Sequence, residues 1–281
     1  MGFKQSNHNQ GGYLVFLVFL GMLLPMVLRA QSSLEVGLQG GVAYYNGDIN
    51  PALPFVMPQA AFGTLARYNF DKRWSVQLSY THAKVKGDDL ISKAVKNRLL
   101  NFITTIDDIS LSGEFNFMDY FTGSKKTAFS PYLIGGAGFF FYTPRGKRAG
   151  QLYDLRALGT EGQNVGYENR KPYKSYSFAA VFGAGIKYSL SKHLGVGVEW
   201  TMHKTFTDYL DDVSSTYYLD ATTLDPNDLT TAEYFSDPSL SHLSGEQRGN
   251  SNNNDWFSFT SLSLTYKINL IKNKGCNGLK W

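Results

Sequence analysis

Between Leu194 and His203 the chain alternates without a break: Leu194, Val196, Val198, Trp200 and Met202 are apolar, and Gly195, Gly197, Glu199, Thr201 and His203 are small or polar. A period of two puts the two sets on opposite faces of a β-strand. Seven further segments carry a comparable pattern. Leu34, Val36, Leu38, Val42 and Tyr44 oppose Glu35, Gly37, Gln39, Gly41 and Ala43, and Phe62, Ala66, Tyr68 and Phe70 oppose Gly63, Arg67 and Asn69. Trp74, Val76, Leu78 and Tyr80 oppose Ser75, Gln77, Ser79 and Thr81, while Ile109, Leu111, Phe115 and Phe117 oppose Ser110, Ser112, Glu114 and Asn116. A fifth strand, Pro131 to Tyr142, is apolar on both faces, so its phase stays open. The remaining two set Tyr176, Phe178, Phe182 and Ile186 against Ser177, Gly183, Gly185 and Lys187, and Leu262, Leu264, Tyr266 and Ile268 against Ser261, Ser263, Thr265 and Lys267.

The connections alternate in length. Long ones are predicted over Tyr45–Pro58, Lys84–Asp107, the stretch following Tyr142, and Thr205–Asp255; shorter ones lie around Asp71–Arg73, through Gly123 and Lys126, and over Ser189–Lys192. Eight strands so connected predict an all-β fold, an eight-stranded antiparallel transmembrane β-barrel of the outer-membrane kind. Its long loops would be extracellular, and its short turns and both termini periplasmic. The polar face is mostly Gly, Ser and Thr, whereas a solvated surface would be crowded with Lys, Glu and Asp. The apolar face is therefore expected to meet lipid. An eight-stranded lumen fills with side chains, so conduction of large solutes is not expected.

Composition agrees. The chain has 28 Gly, 20 Phe and 18 Tyr, with only 18% charged residues, as suits close-packed strands with aromatics at lipid interfaces. Lys4 precedes an apolar stretch from Tyr13 to Leu28, and Leu28 and Ala30 fit the positions three and one before a signal-peptidase cut, so residues 1–30 read as a secretory signal. Pro25 interrupts that stretch, which argues against a membrane anchor. The barrel then occupies 31–281, with 25 basic and 23 acidic residues, a balance that gives no argument for nucleic acid. Cys276 is the single cysteine, so no internal disulfide framework forms. The Gly-rich run Ile134–Phe139 lacks the Lys and helix of a phosphate loop, and no cofactor is expected.

The inward parity holds six charges, Glu35, Arg67, Glu114, Lys187, Glu199 and Lys267. Charges in a narrow lumen persist when paired, so an ion-pair plug is predicted. The segment Thr205–Asp255 holds eight Asp and two Glu against Arg248 alone, a net charge of −9. Asp208, Asp211 and Asp212 are close together but lack the ligand spacing of a calcium loop; a solvated or partner-facing loop is expected rather than a metal site. The third long loop is basic, with Arg145, Lys147, Arg148, Arg156, Arg170, Lys171 and Lys174, and would pair with the acidic loop or meet lipid phosphates. His82, outward near the end of its strand, is the one candidate base for a lipid hydrolase, but no motif unites it with a nucleophile. The segment Asn269–Trp281, with Lys272, Lys274 and Lys280, reads as a basic tail.

Four aperiodic loop segments carry a family resemblance: Tyr44-Tyr45-Asn46-Gly47-Asp48-Ile49-Asn50, Leu158-Gly159-Thr160-Glu161-Gly162-Gln163, Lys204-Thr205-Phe206-Thr207-Asp208-Tyr209-Leu210-Asp211-Asp212-Val213-Ser214, and Gln247-Arg248-Gly249-Asn250-Ser251 followed by Asn254-Asp255-Trp256. In these the chain resembles the PorG family (DUF6089-like) of Bacteroidetes outer-membrane proteins. That resemblance implies a noncatalytic barrel of the type IX secretion system, associated with the periplasmic ring of PorK and PorN, and it brings no catalytic residues. The basic tail departs from the family pattern. Two other readings compete: an adhesion or binding protein acting through its outer loops, and a lipid-modifying barrel enzyme.

Overall fold

The computed structural model describes residues 32–268; the signal segment and the basic tail lie outside the described residues. Nine strands form among the described residues: β1 (Ser33–Asn46), β2 (Gln59–Asn69), β3 (Trp74–Asp88), β4 (Asn101–Asn116), β5 (Phe129–Arg148), β6 (Gln151–Asp154), β7 (Tyr176–Ser189), β8 (Leu194–Thr205) and β9 (Trp256–Ile268). Eight of them close into an antiparallel barrel in the order β4-β3-β2-β1-β9-β8-β7-β5, with β4 pairing β5 to complete the ring. The short β6 lies outside the ring and pairs with the loop end of β5, Arg145 opposite Asp154. Closure leaves no long unpaired edge within the lipid layer, the condition for crossing a membrane with strands.

The alternation becomes two surfaces. Leu38, Phe62, Leu78, Leu111, Phe178 and Leu262 stand on the outside, each more than half exposed except Leu78 at 50%. Aromatic rings bracket this apolar band. Tyr68, Trp74, Phe115, Phe129 and Tyr266 lie toward the turn end, and Tyr80, Phe139, Phe141 and Tyr176 toward the loop end, as at the two faces of a bilayer. The fifth strand acquires a phase: Tyr132, Ile134, Phe140 and Tyr142 point inward and are buried, whereas Leu133 and Phe141 are exposed.

Three strands are longer than their sequence suggested. The connection read as Lys84–Asp107 shrinks to Asp89–Leu100, because β3 continues to Asp88 and β4 starts at Asn101, in register from Lys84 opposite Thr105 to Asp88 opposite Asn101. β5 runs on to Arg148. In these extensions the parity inverts. Inward positions become apolar (Val85, Phe102, Ile106, Tyr142) and outward ones become Lys84, Lys86, Arg145 and Lys147. A strand in lipid must be apolar outside; the same strand in water must be apolar inside, so the phase flips where the barrel leaves the membrane.

The inverted segments enclose the main hydrophobic core. Ala43, Tyr45, Ala83, Val85, Phe102, Ile106, Phe140, Tyr142, Phe257 and Phe259 pack inside the loop end, and Ile49, Leu100, Leu155, Leu210, Val213 and Phe235 descend onto them from the loops. Full burial of such side chains stabilises by roughly 1.5–3 kcal/mol each. The loops are thus anchored by a core that the barrel itself supplies.

Candidate functional site

Two polar networks occupy the molecule, one in the lumen and one in the loop cap. In the lumen, register sets Glu35 opposite Arg67 and Arg67 opposite Gln77. The Arg67 guanidinium donates from Nε to Glu114 Oε1 at 2.6 Å, from Nη1 to Glu35 Oε2 at 3.1 Å and from Nη2 to Gln77 Oε1 at 2.8 Å. Lys187 Nζ takes the second Glu114 oxygen at 2.7 Å. These four charged side chains are buried. A charge in such a place is tolerated only when its hydrogen bonds are filled.

Glu199 and Lys267 share the inward face but form no ion pair among the described residues. Glu199 accepts from the Tyr132 hydroxyl at 2.7 Å, and Lys267 Nζ donates to the carbonyl of Thr122 at 2.6 Å. The connection 117–128 is therefore no simple turn. It tucks Tyr120 and Thr122 into the mouth, where both are buried and Thr122 Oγ1 donates to Glu35 Oε1 at 2.6 Å. Above the ion pairs is a cavity of about 20 Å³ lined by residues including Gln77, Thr81, Asp108, Glu199 and His203, room for little more than one water molecule.

The loop motifs converge on the cap. The Tyr45 hydroxyl donates to Asp211, and to Asp255 Oδ1 at 3.1 Å. A side chain at Gly47 would collide with that carboxylate and with the Tyr45 ring, so the motif needs glycine there. Asp255 Oδ2 accepts the Leu210 N–H at 2.9 Å, and Asp48 Oδ2 accepts the Asn250 N–H at 2.6 Å. Gly249 lies against Asp48 and Ser214. Trp256 begins β9 with its ring 4.3 Å beneath Lys204 Nζ, and Thr207 Oγ1 lies 3.1 Å from the Tyr142 hydroxyl.

Arg248 binds the third and fourth long loops together. Its Nη1 reaches Glu161 Oε1 at 3.0 Å and the Asp212 carbonyl at 2.6 Å, Nη2 the Phe235 carbonyl at 3.2 Å, and Nε the Ser236 carbonyl at 3.2 Å. Glu161 is also held by the N–H groups of Ser214 and Ser215 at 2.9 and 3.1 Å and by the Ser215 hydroxyl at 2.5 Å. Gly159, at φ +65°, ends the helix Leu155–Leu158 in the left-handed region, and Gly162 turns the chain after Glu161 at φ +81°. Asp212 accepts from Thr160 and, at 2.5 Å, from Tyr173. Arg98 does for the first two loops what Arg248 does for the last two: it pairs with Asp89 at 2.7 Å and donates to the carbonyls of Asp48 and Arg248 at 2.8 and 2.9 Å.

The acidic segment, expected to be solvated or partner-facing, is solvated only in part: Asp220, Asp225 and Asp228 are exposed, whereas Asp208, Asp211, Asp212, Asp237 and Asp255 are buried. Burial pushes Asp211 up to about 8, with the Asp48 carboxylate adding to it, and Asp212 to about 7 against the pull of Arg248. Asp208 is pushed up to about 8, first by burial and then by the Asp211 and Asp48 carboxylates, and neither of its oxygens has a hydrogen-bond partner among the described residues. Asp255 is raised well above the carboxylate range by burial and by Asp211 and Asp208. Among the described residues no group of His, Cys, Asp and Glu has the arrangement of a metal site.

Arg98, Asp89 and Tyr173 were invisible to motif reading, since a lone charge or ring in a loop carries no periodic signal. Asp107 was equally unmarked. It sits opposite His82 and receives both His82 Nδ1 and the Tyr80 hydroxyl on Oδ1 at 2.7 Å. On the outward face His82 stands opposite Phe62 and Asp107 across the strands, with Tyr80 and Lys84 beside it on its own strand.

Residues 13–230 match the model of a family described as Domain of unknown function (DUF6089). No curated protein matches the chain. Among solved structures the chain is similar to Neisserial surface protein A (NspA), at 10% identity over 84% of this chain and 99% of that one, TM-score 0.41. It is also similar to Ail, the attachment invasion locus protein of Yersinia pestis, at 11% identity over 84% and 97%, TM-score 0.39. A third is the outer membrane protein OprG from Pseudomonas aeruginosa, at 13% identity over 86% and 98%, TM-score 0.33.

Proposed function

We propose, from the premise that the chain belongs to the DUF6089 family, that it is a noncatalytic barrel of the bacterial outer membrane that anchors the PorK/PorN-type periplasmic ring of the type IX secretion system. The observation that carries this reading is a lumen closed along its length. The 117–128 segment, the Arg67 ion pairs and the aromatic core succeed one another inside it. A barrel so filled serves secretion by holding machinery rather than by passing cargo. The residues of the PorG-like loop motifs also build one cap, which accounts for motifs spread over some 200 positions of sequence by a single structural demand.

In this reading the short-turn end and both termini face the periplasm. The ring contacts fall on the connections 70–73, 117–128 and 190–193, where Phe117, Met118 and Leu190 are each more than half exposed. Affinity purification of the full chain from detergent-solubilised outer membrane is expected to recover the ring proteins, and F117A/M118A to reduce that recovery several-fold with the barrel intact. Reproducible absence of ring proteins from the wild-type eluate would overturn the reading.

A further inference from the structure

From Ile49 to Ala66, across the first long connection, no residue carries a charge, whereas the other three long connections all do. The middle of this stretch reads Pro51-Ala52-Leu53-Pro54-Phe55-Val56-Met57-Pro58, and its largest side chains are not tucked into the cap: Leu53 is 41% and Phe55 54% exposed. An exposed apolar run of this kind marks a surface that meets something other than water.

The segment folds back over the rim onto the outer wall of the barrel. The Phe55 ring stands edge-on to Tyr44, with centroids 5.3 Å apart, and 6.1 Å from the ring of Trp200, the outward aromatics of β1 and β8. Asn50 turns the chain, its Nδ2 donating to the carbonyls of Tyr45 at 3.1 Å and Leu53 at 2.7 Å. Gln59 Nε2 holds the return through the carbonyls of Met57 and Pro58 at 3.3 and 2.8 Å. Phe55 and Met57 adopt φ of +62° and +56°, a conformation that residues with a β-carbon keep only where their surroundings impose it.

Register gives the depth of these contacts. A ladder row followed once around the ring leaves β2 at Asn69, passes Ile134, Thr201 and Ala43, and returns to β2 at Gln59, ten residues nearer the loop end. Each strand therefore lifts the row by about 1.25 residues, at about 2.5 Å of height per residue of tilted strand. On that scale Tyr68 and Trp74 stand within about 3 Å of Asn69, and Phe139 and Phe178 about 22–25 Å above it, which matches the apolar band of an outer-membrane barrel. Trp200 stands about 13 Å and Tyr44 about 24 Å above Asn69, so a ring packed against both lies in the loop-end half of the hydrocarbon. Irregular backbone is excluded from that layer unless its polar groups are satisfied, so the loop backbone stays at the boundary and the side chain reaches down. Its sequence suits the boundary: the three prolines bring no N–H, and Asn46, Asn50 and Gln59 side chains take up the carbonyls of Pro51, Leu53, Met57 and Pro58.

We propose that Pro51–Pro58 is a lipid-inserted anchor, with Phe55 entering the acyl chains of the surrounding leaflet beside the β8–β9–β1 wall and fixing the rim of the cap to the membrane. The anchor is at the end of the barrel opposite the ring contacts, so it stands independently of the secretion reading.

The test is electron paramagnetic resonance of the full chain in phosphatidylcholine liposomes, with a nitroxide at Phe55→Cys in a Cys276→Ser background, Cys276 being the single cysteine. Labels at Val198→Cys, outward on β8, and at Ser241→Cys, exposed in the fourth loop, give the lipid and water references. The label at position 55 is expected to collide with oxygen in strong preference to a water-soluble nickel chelate, a ratio close to that at 198 and several-fold above that at 241. A ratio like that at 241, or low collision with both reagents as in a packed protein interior, overturns the proposal. In otherwise wild-type protein, Phe55→Asp should speed amide exchange over residues 52–57 several-fold in liposomes while β8 keeps its protection. Unchanged exchange in that variant overturns the anchoring role of Phe55.

Discussion

Replacing Arg248 with alanine separates the roles of cap and barrel. The guanidinium is 3% exposed and makes four contacts within hydrogen-bond range, one to the Glu161 carboxylate and three to the carbonyls of Asp212, Phe235 and Ser236. Removing one partner of a buried ion pair costs about 3–5 kcal/mol, because the other charge is left buried. Glu161 keeps donors from Ser214, Ser215 and Tyr209, which argues for the lower end, about 3 kcal/mol. At 1.4 kcal/mol per decade this raises the open population of the cap by roughly two orders of magnitude. Native-state hydrogen exchange reads it directly. The amides of Ser214 and Ser215, which donate to Glu161, should exchange about a hundredfold faster, while those of β8 should keep wild-type protection. Arg248→Lys restores the charge without the fork and should lie between. Wild-type exchange at Ser214 and Ser215 in Arg248→Ala, or equal loss of protection in β8, would refute the assignment of the cap as a separately stabilised unit tied by this residue.

Two further outcomes follow from the same structure. Asp208 and Asp211 are raised to about 8 in the folded chain, against about 4 when unfolded, so the folded cap binds more protons between those values. The stability these two carboxyls contribute is fully present below about pH 4 and is lost as pH rises through about 8; cap opening, corrected for intrinsic exchange, should increase from pH 5 to pH 9, and Asp208→Asn should flatten that slope. Val198, outward on β8 and 45% exposed, faces lipid. Val198→Arg should cost about 2–4 kcal/mol near the midplane and impair insertion into vesicles, whereas Ser241→Arg in the fourth loop should insert as wild type, and equal insertion of the two would mean that the apolar face is not the lipid face.

Sequence alone determined the barrel, because lipid outside and a packed lumen inside impose a period of two that survives in any single strand, Leu194–His203 being the clearest. It also placed Glu35, Arg67, Glu114 and Lys187 on one face, since parity fixes the face. Parity does not fix height or rotamer, so only the tertiary structure decided that Glu199 meets Tyr132 and Lys267 meets a carbonyl. The extensions of β3, β4 and β5 were hidden by their inverted phase: Lys84 and Lys86 outside look like the end of a strand until water, not lipid, is recognised as the outer solvent. The cap was the least legible part. Its partners are as distant in sequence as Tyr45 and Asp255, and local charge counting made the fourth loop a solvated or partner-facing one. Closure of the ring brings β1 beside β9 and sets these loops over one aromatic core, and it is that enclosure, which no stretch of sequence contains, that buries the aspartates and makes Arg98 and Arg248 the ties between loops.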